Sequence, residues 1–204
     1  MLELKDIEES KKQFKEWDNK SRWELPTKEF IEHTEKKAQQ THRLAEYLLK
    51  KIENTDELSD NNTVTMWIIT LCYYSMFFHV EYLLGLDNKK LPEGTRDTHK
   101  TVYLAFLYYY IIKGSELEQN SNKTITTSRM SRALVLFKEL QDETLELQRI
   151  KNNVTNLKLQ REERHKFTYR LDRFAELSES KKSLQKSAEF KLLIREYISA
   201  RQSK

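Results

Sequence analysis

The chain has very little with which to turn corners. Its 204 residues include three glycines and two prolines, too few for the repeated tight turns of a sandwich or barrel. The same scarcity excludes a glycine-rich phosphate loop, which needs glycines at fixed offsets, and there is no nucleophile elbow. A single cysteine, Cys72, permits no intramolecular disulfide. It lies in the most apolar stretch, so it is expected to be an inert core thiol in a reducing compartment. No metal-ligand set stands out, since His33 and His42 are too far apart to form an i, i+4 pair. The opening residues, MLELKDIEESKK, are charged from the start and carry no leader pattern. The expectation is a cytoplasmic protein with no cofactor. The net charge of +4 permits nucleic-acid binding without demanding it.

What the chain does have is charge (33% of residues) and aromatic rings (11%). Long runs of Leu, Glu, Lys, Arg and Gln carry the charge and argue for an all-α fold. The organising stretch is Val64 to Gly85, VTMWIITLCYYSMFFHVEYLLG. A helix apolar nearly all round either spans a membrane or forms the buried axle of a domain. His79, Glu81 and two adjacent tyrosines favour the axle, and no membrane contact is expected. Gly85 is expected to end this helix, and Asn62 or Thr63 to cap its start.

Around the axle the pattern reads as follows. Residues 1–25 are a polar N-terminal extension with a weak helical signal, and its tryptophans should dock on the main body. Residues 26–204 form the bundle domain. Pro26-Thr27 starts a helix over 28–53, with Phe30, Thr34, Lys37 or Ala38, Thr41, Leu44 or Ala45, Leu48 and Ile52 as its apolar stripe. After a loop over 86–96, Asp97 or Thr98 caps a helix running through Ile112 to Gly114. From Ser128, apolar steps of three and four through Ala133, Phe137, Leu140, Thr144, Leu147, Ile150, Val154, Leu157 and Arg161 give one long helix, or two broken near Asn152-Asn153. A polar joint over 178–183 precedes a last helix over about 184–200. Aromatic helices joined by short loops most simply pack as an antiparallel up-and-down bundle.

Three segments carry a resemblance. Tyr73-Tyr74-Ser75-Met76-Phe77 followed by Leu83-Leu84, then Thr98-His99-Lys100-x-Val102 with Phe106 to Lys113-Gly114, then Arg164-His165-Lys166-Phe167-Thr168-Tyr169, occur in an order similar to single-domain HEPN proteins. They span roughly residues 30–200. The resemblance implies a four- to five-helix antiparallel bundle. It also implies a homodimer and, as partners, RNA, a nucleotide, or a small nucleotidyltransferase in a toxin–antitoxin or defence pair. The chain departs from the pattern at Phe77-Phe78, where the family often has Phe-His, and at Phe167-Thr168, which stands in place of Ala-Asp.

The family's ribonucleases use an arginine and a histidine, without metal, to hold a phosphate and move protons at the 2′-OH. Here the nearest set is Arg161, His165 and Tyr169, which share one helix face at steps of four, with one fewer intervening residue than the family's spacing. Glu162 and Glu163 beside them would repel a phosphate, so the expectation leans towards a binding module, with an endoribonuclease as one alternative and an architectural helical subunit as another. Lys158, Arg164, Lys166, Arg170 and Arg173, within a longer basic run that includes Arg149, Lys151, Lys181, Lys182 and Lys186, are candidates for nucleic-acid contact. Thr98, His99 and Tyr74 are candidates for a ligand seat, because a helix start offers free backbone N–H groups to an anion.

Overall fold

The computed structural model describes residues 4–55, 62–115, 125–157 and 177–202. Every regular element among them is a helix: α1 (Leu4–Asn19), α2 (Lys28–Glu53), α3 (Asn62–Leu86), α4 (Thr98–Phe106) continued by a π-helical stretch (Leu107–Ile112), α5 (Ile125–Leu157) and α6 (Leu177–Gln202). The single extended contact among the described residues is an isolated antiparallel bridge between Glu24 and Lys90.

Helix α3 is the centre, touching α2, α4, α5 and α6. Side-chain contacts give the directions. Ser75 Oγ donates to the Ala38 carbonyl, while Gly85 lies against Ile31, so α2 and α3 run antiparallel. Arg129 pairs with Glu196, Arg132 with Glu189 and Lys186 with Glu143, so α5 and α6 are antiparallel too. Between α3 and α4 the order is different. Tyr73 meets His99, and Asp87 just beyond α3 meets Tyr110. These contacts advance in the same sense along both segments, because the 87–97 connection carries the chain back before α4 starts. The expected antiparallel hairpin for this pair is therefore not what forms.

Several local expectations shift for identifiable reasons. Thr27 caps α2 as expected, accepting from the Phe30 N–H at 3.1 Å. The buried face of α2, however, is Thr34, Ala38, His42, Ala45, Leu49 and Ile52, and Leu44 is left exposed. Gly85 does not terminate α3. A Cβ there would stand 3.2 Å from Ile31 Cγ1, so its role is close helix approach. The terminating residue is Asn88, at φ 57°. Lys89 N–H donates to the Leu84 carbonyl and Asn88 N–H to that of Gly85, the paired bonds of a Schellman ending. Asp97 holds the N-cap position of α4 without a side-chain cap bond. Helix α5 runs through Asn152-Asn153 unbroken. The expected polar joint at 178–183 is the first part of α6, where Ser180 and Ser183 are buried. Their small side chains admit close packing, and Ser180 Oγ donates to the Thr65 carbonyl across the contact at 3.2 Å.

The N-terminal residues share the core. Phe14 is fully buried, and Trp17 joins it in the same cluster as Met76, Phe106 and Phe137. The π-helical turn explains how. By adding a residue to the turn it re-aims three consecutive tyrosines. Tyr109 hydroxyl donates to Asp18 and Tyr110 hydroxyl to Asp87, while the Lys113 ammonium lies over the Tyr108 ring at 4.9 Å. Lys113 also pairs with Asp18 at 2.7 Å, and Trp23 Nε1–H donates to Tyr109 at 2.9 Å.

Helix α3 from Thr63 to Leu86 is long and apolar enough to cross a membrane by length and composition alone, and 56% of its most apolar window is buried within the protein. It is not covered all round, as the sequence suggested. Leu71, Tyr74, Phe78, Glu81 and Tyr82 fall at helical spacing on a half-exposed face.

Candidate functional site

Of the sequence-predicted site residues, Thr98, His99 and Tyr74 come together where α4 begins against α3. Arg161, His165 and Tyr169, and the basic candidates Lys158, Arg164, Lys166, Arg170 and Arg173, lie outside the described residues.

His99 is held at the first turn of α4 among rings from α3. Its centroid is 4.7 Å from that of Phe77 and 5.6 Å from those of Tyr73 and Tyr74. Tyr74 stacks in turn on Phe78 at 6.0 Å. Below them, Gln141 of α5 reaches across. Its Nε2 donates to the His99 carbonyl at 3.3 Å and approaches the Tyr73 hydroxyl at 3.5 Å. Tyr73 hydroxyl lies 2.7 Å from His99 Nδ1. With the Tyr73 hydroxyl oxygen accepting from Gln141, its own O–H is directed to donate to Nδ1. This arrangement assigns the imidazole proton to Nε2. Burial lowers the His99 pKa, which keeps the ring neutral at physiological pH. Burial also raises the pKa of Tyr73 well above that of an ordinary phenol, so Tyr73 acts as a fixed donor.

The site is thus a neutral imidazole, half-buried, with one nitrogen engaged by protein and an N–H available on the other. Tyr74 offers a half-exposed ring face beside it. The Thr98 hydroxyl donates to the Thr95 carbonyl at 3.0 Å within the preceding turn. Gln141 and Phe77 were missed by sequence reasoning. Gln141 falls on the buried face of α5 one turn after Phe137, and a glutamine among apolar positions was the available signal.

The described part of the basic run is largely neutralised. Lys181 pairs with Glu53 at 2.8 Å, Lys182 with Glu179 at 2.8 Å, and Lys186 with Glu139 and Glu143 at 3.1 and 2.6 Å. Lys181 and Lys186 knit α6 to α2 and α5.

Two other histidines are interior. His42 Nδ1 lies 3.0 Å from Ser187 Oγ and Nε2 lies 3.4 Å from Glu46. The set superficially echoes a serine–histidine–carboxylate relay, but Ser187 is buried and no substrate carbonyl can reach it. His79 Nδ1–H donates to the Ser75 carbonyl, and burial pulls its pKa down to about 4. Cys72 is buried and its thiol is pushed up to about 12, mainly by burial, which makes it inert as a nucleophile. Among the described residues no group of His, Cys, Asp and Glu could hold a metal ion.

No family model matches the chain, and searches of curated proteins and of solved structures find no significant match.

Proposed function

We propose that the chain is a HEPN-like helical binding module that acts as a cytoplasmic homodimer and engages RNA or a nucleotide at the His99–Tyr74 seat. The observation that carries this reading is the preorganised imidazole. Gln141 and Tyr73 fix its tautomer, and Tyr74 supplies a ring face on which a base can stack. The start of α4 adds backbone N–H groups that favour an anion such as a phosphate. Support for the HEPN-like part comes from the order of the three resembling segments and from the antiparallel α2/α3 and α5/α6 pairs. In this reading a nucleotidyltransferase-type protein of a toxin–antitoxin or defence pair is the protein partner.

Binding of labelled RNA oligonucleotides and of nucleoside triphosphates tests the proposal, comparing the wild type with His99→Ala and Tyr74→Ala. Loss of a hydrogen bond and a stacking face should weaken affinity by about tenfold or more for each. Undiminished binding by both variants, or no binding by the wild type, ends the reading. The alternative endoribonuclease rests on the sequence positions of Arg161, His165 and Tyr169. The same RNA incubated in EDTA with wild type and His165→Ala decides it, since equal cleavage by the two removes that site.

A further inference from the structure

The outer face of α3 is the least expected feature of the fold. Leu71, Tyr74, Phe78, Glu81 and Tyr82 form a half-exposed line over about 17 Å of helix. A stripe of this kind on the central helix of a bundle is unusual, because an axle should be wrapped on every side. Within it sits Glu81, an acid among apolar neighbours. Among the described residues it has no hydrogen bond and no ion pair, and burial pushes its pKa up to about 7, with the Lys37 charge acting in the other direction. Lys37 projects from α2 beside it. Its ammonium lies 5.3 Å from the centre of the Phe78 ring and makes no ion pair among the described residues. The face therefore carries a carboxyl and an ammonium that lie within electrostatic reach of each other but form no ion pair among the described residues, beside an aromatic line.

Such a surface is complementary to itself. A two-fold axis between Phe78 and Glu81 sets two α3 helices antiparallel. It brings each Glu81 opposite the other copy's Phe78, and hence opposite the Lys37 that lies over that ring. Both charges then form ion pairs across the contact, while the two Phe78 rings cover one another. An isologous contact requires this reciprocity, in which a residue meets its complement twice. A lipid surface would meet the rings but leave the carboxyl unmatched.

We infer that this face of α3, with Lys37 of α2, is the surface on which a second copy of the chain docks. The inference rests on the homodimer of the proposed function and locates its interface. It is centred on Phe78, Glu81 and Tyr82 and leaves Tyr74, opposite Gly85, with His99 at its open margin; the assay below involves no ligand.

The test is sedimentation velocity over a concentration series with wild type, Lys37→Glu, Glu81→Lys and an equimolar mixture of the two variants. Circular dichroism melts check that each variant is folded. The wild type should dimerise. Each variant alone sets like charges opposite one another and should dimerise about tenfold more weakly or worse. In the mixed dimer both pairs return: the introduced glutamate of one copy faces the introduced lysine of the other, and the native Glu81 of the first faces the native Lys37 of the second. The mixture should therefore regain the wild-type affinity. A folding defect or an intrachain effect cannot produce that rescue. A wild type that stays monomeric overturns both the homodimer and this surface. A dimer indifferent to the two variants, or a mixture that stays dissociated, overturns the surface alone. Flotation of the wild type with phosphatidylcholine–phosphatidylglycerol vesicles, abolished by Phe78→Asp, also overturns it, because the stripe would then face lipid.

Discussion

Replacing Phe14 by alanine asks whether α1 belongs to the cooperative fold. The ring is fully buried and lies within 5.5–5.8 Å, centre to centre, of Trp17, Trp23, Tyr108 and Tyr109. Removing a buried phenylalanine costs about 3–5 kcal/mol, through lost transfer energy and the cavity left behind. Trp23 is only half-buried and can relax into the space, which places the cost near the lower end, at about 3 kcal/mol. Besides the buried Trp17, the contacts that would still hold α1 are modest: Ser10 Oγ donating to the Leu104 carbonyl, Tyr103 donating to Asp6, Tyr109 donating to Asp18, and the Asp18–Lys113 and Glu9–Lys100 pairs. Partly exposed ion pairs contribute about 1 kcal/mol or less each, and a buried hydrogen bond such as that of Ser10 about 1 kcal/mol. For a chain of this size the loss corresponds to a fall in Tm of about 6–12 °C. The assay is urea and thermal denaturation followed in parallel by far-UV circular dichroism and by tryptophan fluorescence, since two of the three tryptophans, Trp17 and Trp23, sit at the mutated cluster. Phe14→Leu, which keeps most of the volume, should lose less than half as much. The reasoning fails if Phe14→Ala leaves the dichroism midpoint in place while fluorescence changes. That result would make α1 an independently attached appendage.

Two further outcomes follow from buried polar groups. His79 is neutral in the folded state, with its pKa near 4 against an unfolded value of 6.5. The folded state therefore binds fewer protons than the unfolded chain in this range. The stability is fully present above pH 6.5 and declines as the pH falls towards 4, by on the order of 3 kcal/mol for this group. His79→Leu should flatten that slope in urea melts at about pH 7, 6 and 5. His42, whose pKa is lowered by burial, leaves a residual slope of the same sign, and an unchanged pH profile in the variant would refute the assignment. Thr144 has a buried hydroxyl with no hydrogen-bond partner among the described residues. Thr144→Val removes that unpaired group at nearly constant shape, and denaturation should show a gain of about 1 kcal/mol. A loss of stability would mean that the hydroxyl is bonded after all.

Local sequence was enough to place most of the described helical segments. Scarce Gly and Pro left few places to stop, Thr27 supplied a cap whose chemistry is local, and the apolar period of α5 marked Ala133, Phe137, Leu140, Thr144 and Leu147, all of which are buried. It also placed His99 at a helix start and Tyr74 on the axle, both legible from the chain, and the two rings meet in the fold. Which flank of each helix is covered was settled by packing, because periodicity fixes an apolar arc but not the neighbour that meets it. That is why α2 turns His42 inward and leaves Leu44 out, and why α3 is wrapped on most sides but not along Tyr74 and Phe78. Serines at 180 and 183 looked like a break because propensity is read one residue at a time, whereas their use lies in allowing two helices to approach closely. The tautomer of His99 and the isolation of Glu81 likewise depend on residues far apart in the chain, and no local pattern encodes a meeting of α3, α4 and α5.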